Sequence, residues 1–131
     1  MGNVGMVFDH VHLVSEDPES AGSWYEEKLG GKIVESAETG GSLSVRVAFE
    51  GATVIIRGKR TNEKPIKKPE LQWGTDHFGF SVNGNFDAFC NDLKNNGVKF
   101  TIDPFNFTPA IRIAFIEAPD NVSIELLQRK V

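Results

Sequence analysis

At 131 residues, 40% hydrophobic and 24% charged, the chain predicts one compact domain, residues 1–131, able to bury a core without covalent staples. A net charge of −4 with no basic stripe argues against nucleic acid as a partner, and no apolar run is long enough to span a bilayer. The opening "MGNVGMVF" lacks the charged start and apolar centre of a signal peptide, and the single Cys90 excludes an internal disulfide framework, so a reducing cytoplasm is the expected location.

The first predicted strand, "FDHVHLV" from Phe8 to Val14, alternates: Phe8, His10, His12 and Val14 face one way, Val11 and Leu13 the other. Asp17-Pro18-Glu19 is a helix start, with an N-cap acceptor, a proline that loses no hydrogen bond, and an acid near the positive end of the dipole. Ala21, Trp24, Tyr25 and Lys28/Leu29 form one stripe, and Gly30-Gly31 closes the helix. "KIVES" and "VRVAFEGATVIIRG" then read as three strands, with turn chemistry at "TGG", 39–41. A charged, proline-bearing connector, "GKRTNEKPIKKPE" at 58–70, follows and reads as solvated.

The chain then repeats itself. "TDHFGFSV" (75–82) matches the first strand, and Phe86, Phe89, Cys90 and Leu93 make a second helical stripe ended by Asn96-Gly97. "VKFTI" and "AIRIAFIEAPDNVSIELLQ" supply three more strands. His10 precedes Gly31 by 21 positions and His77 precedes Gly97 by 20; "RVAFE" (46–50) and "RIAFIE" (112–117) echo each other. Each half is therefore strand, helix, three strands. The expected fold is α+β: two βαβββ modules, 6–58 and 72–128 around a linker at 59–71, forming a cup-shaped mixed sheet with the helices outside.

Alternation places His10, His12, His77, Gly79 and Ser81 on the concave side. In "NVSIELLQ", Ile124 and Leu126 enter the apolar layer, and Glu125 points into the cup. A carboxylate among apolar neighbours in a central strand is costly unless it meets a cation. His10, His77 and Glu125 thus read as a three-ligand set for Fe, Mn, Ni, Co or Zn, leaving positions open for a small-molecule substrate. His12, two residues from His10, is a proton-transfer candidate and, with Glu125, a candidate catalytic residue. Arg57 and Arg112, with Arg46 on the strand matching that of Arg112, are candidates for an anionic substrate, and Phe105 and Phe107 of "PFNFTP" (104–109) for an apolar rim or a loop packed beneath a dimer partner. Trp24 and Trp73 read as core or interface.

Carried by "FDHVHLV", "TDHFGFSV" and "APDNVSIELLQ", the sequence resembles the vicinal oxygen chelate superfamily over about residues 6–128. That superfamily includes glyoxalase I, methylmalonyl-CoA epimerase, extradiol dioxygenases and bleomycin-resistance proteins. The resemblance implies His10, His77 and Glu125 as metal ligands and a homodimer, some members completing their cups across chains. It also implies a lactoylglutathione-lyase-like lyase or isomerase that works through an enolate. Aligning "GATVIIRG" with "NVSIELLQ" puts Ile55 at the fourth ligand position, where a Glu or Gln is usual. A His-His-Glu set of three instead resembles the Fe(II) extradiol dioxygenases. A metal-free drug-binding protein, like those of bleomycin resistance, is the third expectation.

Overall fold

A computed structural model describes residues 5–66 and 70–130. The chain divides into two compact units, residues 1–65 and 66–131. The first contains β1 (His10–Val14), α1 (Pro18–Leu29), β2 (Lys32–Thr39), β3 (Ser42–Phe49) and β4 (Ala52–Arg57). The second contains β5 (Phe78–Ser81), α2 (Phe86–Asn95), β6 (Lys99–Thr108), β7 (Ile111–Ala118) and β8 (Val122–Arg129). Strand orders are β1-β4-β3-β2 and β5-β8-β7-β6. β1–β4 and β5–β8 pair in parallel and every other pair is antiparallel, so both sheets are mixed and each unit is the expected βαβββ module. Among the described residues no helix is long and apolar enough to cross a membrane.

The helices begin and end as their sequences dictate. Asp17 accepts from Ser20 N at 3.1 Å to start α1, and Gly30 ends it in the left-handed region at φ 77°. Asn85 caps α2 by accepting from Ala88 N at 3.0 Å. α1 packs on the face of β3 that carries Val45 and Val47: a methyl at Gly22 would lie 2.7 Å from Val45 Cγ1, so only glycine permits this approach. Strand register then puts Val54, Ile56, Val11 and Leu13 on that helix-covered face, leaving His10, His12 and Val14 on the other. In the second unit Ile116, Ile124 and Leu126 are 0–1% exposed, and β5 adds Phe78 and Phe80 to the same layer. Burial also pushes the Cys90 thiol up to about 11, which makes it an inert core group.

Several segments differ from expectation. β1 begins at His10 rather than Phe8, which is itself exposed, and β5 begins after His77. "PFNFTP" lies mostly inside an edge strand, not in a loop: β6 runs through to Thr108 with register shifts near Ile102, Phe105 and Asn106. Those irregularities and the edge position accommodate Pro104, which has no N–H to give a ladder. Trp24 stacks edge-on with Tyr25 at 5.1 Å, but Trp73 is fully exposed and is no part of a core.

The connector is not solvated throughout. Glu63 folds back, taking Arg57 Nη1 and Nη2 at 2.6 and 3.0 Å and the Arg60 backbone N–H at 2.6 Å. The Arg57 guanidinium holds the Glu63 carboxyl down to about 2. Lys67, Lys68 and Pro69 lie outside the described residues.

The echo between "RVAFE" and "RIAFIE" is out of phase in space. Arg46 lies opposite Ile55, while the residue opposite Glu125 is Phe115. With Ile55 equivalent to Glu125, Arg46 corresponds to Phe115, three residues past Arg112, and Glu117 corresponds to Ala48 rather than Glu50.

Because Ile124 is fully enclosed, Ile124→Ala should lower unfolding free energy by about 2–5 kcal/mol, whereas truncating the exposed Val34 should cost under about 0.5 kcal/mol. Denaturant melts of the two variants measure the difference.

Candidate functional site

His10, His12 and Glu125 lie on the sheet faces that the helices leave open. Asp76 and His77 close the loop before β5, and Asp76 Oδ2 stands 2.8 Å from His77 Nδ1. That contact fixes the ring and directs Nε2 at Glu125 Oε1, 2.9 Å away. Phe115, opposite Glu125 on β7, packs edge-on against the imidazole with centroids 4.9 Å apart. His77 is therefore held on three sides, by two carboxylates and an aromatic ring. Its pKa is raised chiefly by the Asp76 hydrogen bond, opposed by partial burial, with Glu125 adding a hydrogen bond and its charge.

Gly79 makes room for this arrangement. A Cβ there would sit 3.0 Å from the Glu125 backbone oxygen and 3.3 Å from its Cβ. Any side chain would crowd the strand that carries the acid.

The first unit repeats one half of the pattern. Asp9 Oδ2 lies 2.8 Å from His10 Nδ1, the same geometry as Asp76 on His77. The ring of His12 stands 6.0 Å from that of His10. In register with His12 comes Ile55, only 5% exposed, and then Arg46. The His12 pKa is lowered, first by burial and then by the positive charges of Arg57, His10, Arg60 and Arg46, which favours a neutral ring near pH 7.

The remaining expected site residues are placed as follows. The Arg57 guanidinium is filled by Glu63 and by the Gly58 carbonyl at 3.0 Å. Arg112 belongs to the helix-side face: its Nε and Nη2 reach Asp87 Oδ1 at 3.0 and 2.9 Å, and its Nη1 reaches Asn106 at 3.2 Å. There it lines a polar cavity of about 480 Å³ with Asn85, Gln128 and Lys130, on the opposite side of the sheet from Glu125. Phe105 and Phe107 are 41% and 65% exposed on edge strand β6. Sequence reasoning assigned no role to Asp9, Asp76, Gly79 or Phe115. The two "DH" dipeptides signalled the aspartates, but Phe115 was hidden by the three-residue phase error.

The fit to a metal ion can be tested on the second unit by itself. Donors about 2.0–2.2 Å from one ion, at angles between square and tetrahedral, stand about 3 Å apart. The 2.9 Å between His77 Nε2 and Glu125 Oε1 meets that spacing, and a carboxylate on Nδ1 is the usual outer partner of a ligating histidine. Within either unit, the described residues group no third His, Cys, Asp or Glu into a ligand set.

The profile of the Glyoxalase/Bleomycin resistance protein/Dioxygenase superfamily matches residues 7–126. The chain belongs to that superfamily. No curated protein matches it. Among solved structures it is similar to a glyoxalase-family protein from Bacillus cereus, with TM-score 0.80, 16% identity, and coverage of 100% of this chain and 99% of that one. A glyoxalase/bleomycin resistance protein/dioxygenase domain from a Frankia species has TM-score 0.76 and 22% identity, covering 99% of both chains. TnmS3, an antibiotic-binding protein from a Streptomyces species, has TM-score 0.71 and 23% identity, covering 99% of this chain and 100% of that one. At these identities the likeness is one of fold.

In metal-free protein the His77 ring should titrate above the ordinary 6.5 for histidine, and Glu125→Gln should bring it down; proton NMR of the ring signals reads both. A raised folded pKa means the pairing stabilises the fold fully below about 6.5, and that contribution fades as pH rises through the folded value. A His77 titration unaffected by Glu125→Gln would contradict the pairing.

Proposed function

We propose that the protein is a divalent-metal-dependent lyase or isomerase of the lactoylglutathione-lyase-like kind, acting on a small substrate that chelates through two oxygens. The carrying observation is the 2.9 Å approach of His77 Nε2 to Glu125 Oε1, with Asp76 locking the other ring nitrogen. His10, held by Asp9 in the same way, is the proposed third ligand. The bound ion would act as a Lewis acid on a carbonyl oxygen of the substrate, stabilising negative charge as a neighbouring C–H is deprotonated to an enolate. Asp9 and Asp76 orient the two imidazoles and make them better donors. His12, kept neutral by burial and by the arginines around it, is the base that accepts the proton at a ring nitrogen.

Two other readings draw on particular residues. Ile55 at the fourth position leaves three protein donors, the number an Fe(II) extradiol-type dioxygenase employs. The exposed Phe105 and Phe107 on edge strand β6 suit metal-free binding of an apolar drug. Oxygen uptake by iron-loaded protein distinguishes the first of these, and lack of stoichiometric metal the second.

Untagged protein reconstituted in turn with Fe(II), Mn, Co, Ni and Zn should retain one ion per chain, and Glu125→Ala or His77→Ala should weaken retention at least about tenfold, as read by elemental analysis after dialysis. Persistent absence of metal would sink both enzyme readings. With a turned-over substrate in hand, His12→Ala should lower kcat about 10²–10⁴-fold while leaving metal content unchanged; undiminished turnover removes His12 as the base.

A further inference from the structure

The two sheets can be compared residue by residue through their register. His10 and His77 hold equivalent places, so the row Gly79–Glu125–Phe115–Ile102 of the second unit corresponds to His12–Ile55–Arg46–Glu35 of the first. In the second row an acid stands between a glycine and a phenylalanine, a place built for a cation. In the first row a buried isoleucine stands between an imidazole and a guanidinium. The polarity of the site is inverted.

We propose that Arg46, with His12 beside it, binds an oxyanion over Ile55, so that the ligand recognised by the first unit carries a carboxylate or phosphoryl group. Arg46 is available for this in a way that Arg57 is not. The fork of Arg57 is closed by both oxygens of Glu63, whereas the one acid contact of Arg46 is a long Nε approach to Glu35 Oε1 at 3.5 Å. Its terminal nitrogens have no acceptor among the described residues, and its side chain is 45% exposed. Glu35 lies on the β2 side of Arg46, away from Ile55.

Strand spacing sets the size of the ligand group. His12 and Arg46 sit on β1 and β3 with β4 between them, about 10 Å apart at the backbone. A planar or tetrahedral oxyanion set over Ile55 between them would accept hydrogen bonds from the guanidinium fork on one side and from an imidazole N–H on the other. Ile55 forms the floor. It brings neither an acceptor to neutralise the arginine nor a donor to compete with it. The second-unit position equivalent to Arg46 is Phe115, so this charge is a property of the first unit alone. The proposal goes beyond the metal reading and needs no ion.

The test is an NMR titration of metal-free protein with inorganic phosphate and, separately, with acetate, at ionic strength held constant with chloride. Saturable shifts at the His12 ring and the Arg46 and Ile55 amides are expected with at least one anion, and which one distinguishes a phosphoryl from a carboxylate ligand. Arg46→Ala should weaken that binding about tenfold, and Arg46→Lys by less, because charge is kept and the fork is lost. Ile55→Glu should abolish it by placing a carboxylate under the anion. Shifts that never saturate in the wild type, or an Arg46→Ala titration indistinguishable from it, would overturn the proposal. Since no metal is present, neither result bears on the ligand set of the second unit.

Discussion

A carboxylate and an imidazole share one hydrogen bond on the open face of the second sheet, and the chemistry argued above depends on it. Glu125 sits in β8, between β5 and β7, flanked in sequence by side chains that are almost wholly enclosed. An acid in that position loses solvation that only a cation or a strong donor can restore. His77 is that donor in the absence of metal, and the same atoms stand where two adjacent ligands of one ion would stand. Under the proposed metal reading, an ion bound there would compete with a proton for one nitrogen, which would tie the ionisation of His77 to metal binding.

The surroundings of this pair look arranged for it. Asp76 removes the rotational freedom of the ring, Phe115 covers its edge, and Gly79 leaves the space that a side chain would take from the Glu125 strand. The first unit keeps the Asp-His element and loses the acid. Its equivalent row contains His12, Ile55 and Arg46, and the arginines near it lower the proton affinity of His12. One duplicated frame therefore presents two electrostatic faces. The difference comes from three side chains per sheet and leaves the backbone plan intact.

The superfamily to which the chain belongs includes metal-dependent enzymes and proteins that bind drugs, so the fold does not choose among chemistries. Under the proposed metal reading, the choice here turns on what replaces the fourth acid. Isoleucine at position 55 cannot hold a metal, and its side chain is buried between His12 and Arg46 in the strand register. The Arg57–Glu63 pair has a different task. It fastens the connector to the end of β4 and takes the more conspicuous arginine out of use for a ligand.

Much was legible in the sequence because it depends on local periodicity. Alternation in "FDHVHLV" and "NVSIELLQ" assigned His10, His12 and Glu125 to open faces, and capping residues and helical stripes located both helices to within a residue or so. Equivalence of Ile55 with Glu125 also followed, since the closing strands align without a gap. What sequence could not supply was register between strands. Similar letters in "RVAFE" and "RIAFIE" suggested that Arg46 and Arg112 were counterparts, yet hydrogen-bonded pairing puts Arg112 with α2 and Asp87, and Arg46 on the open face. A shift of three residues reverses the face on which a side chain emerges, because strand side chains alternate with period two. Likewise, only folding back of the connector shows that Glu63 occupies Arg57. Periodicity along the chain determined which residues face outward. Long-range pairing decided which of them meet.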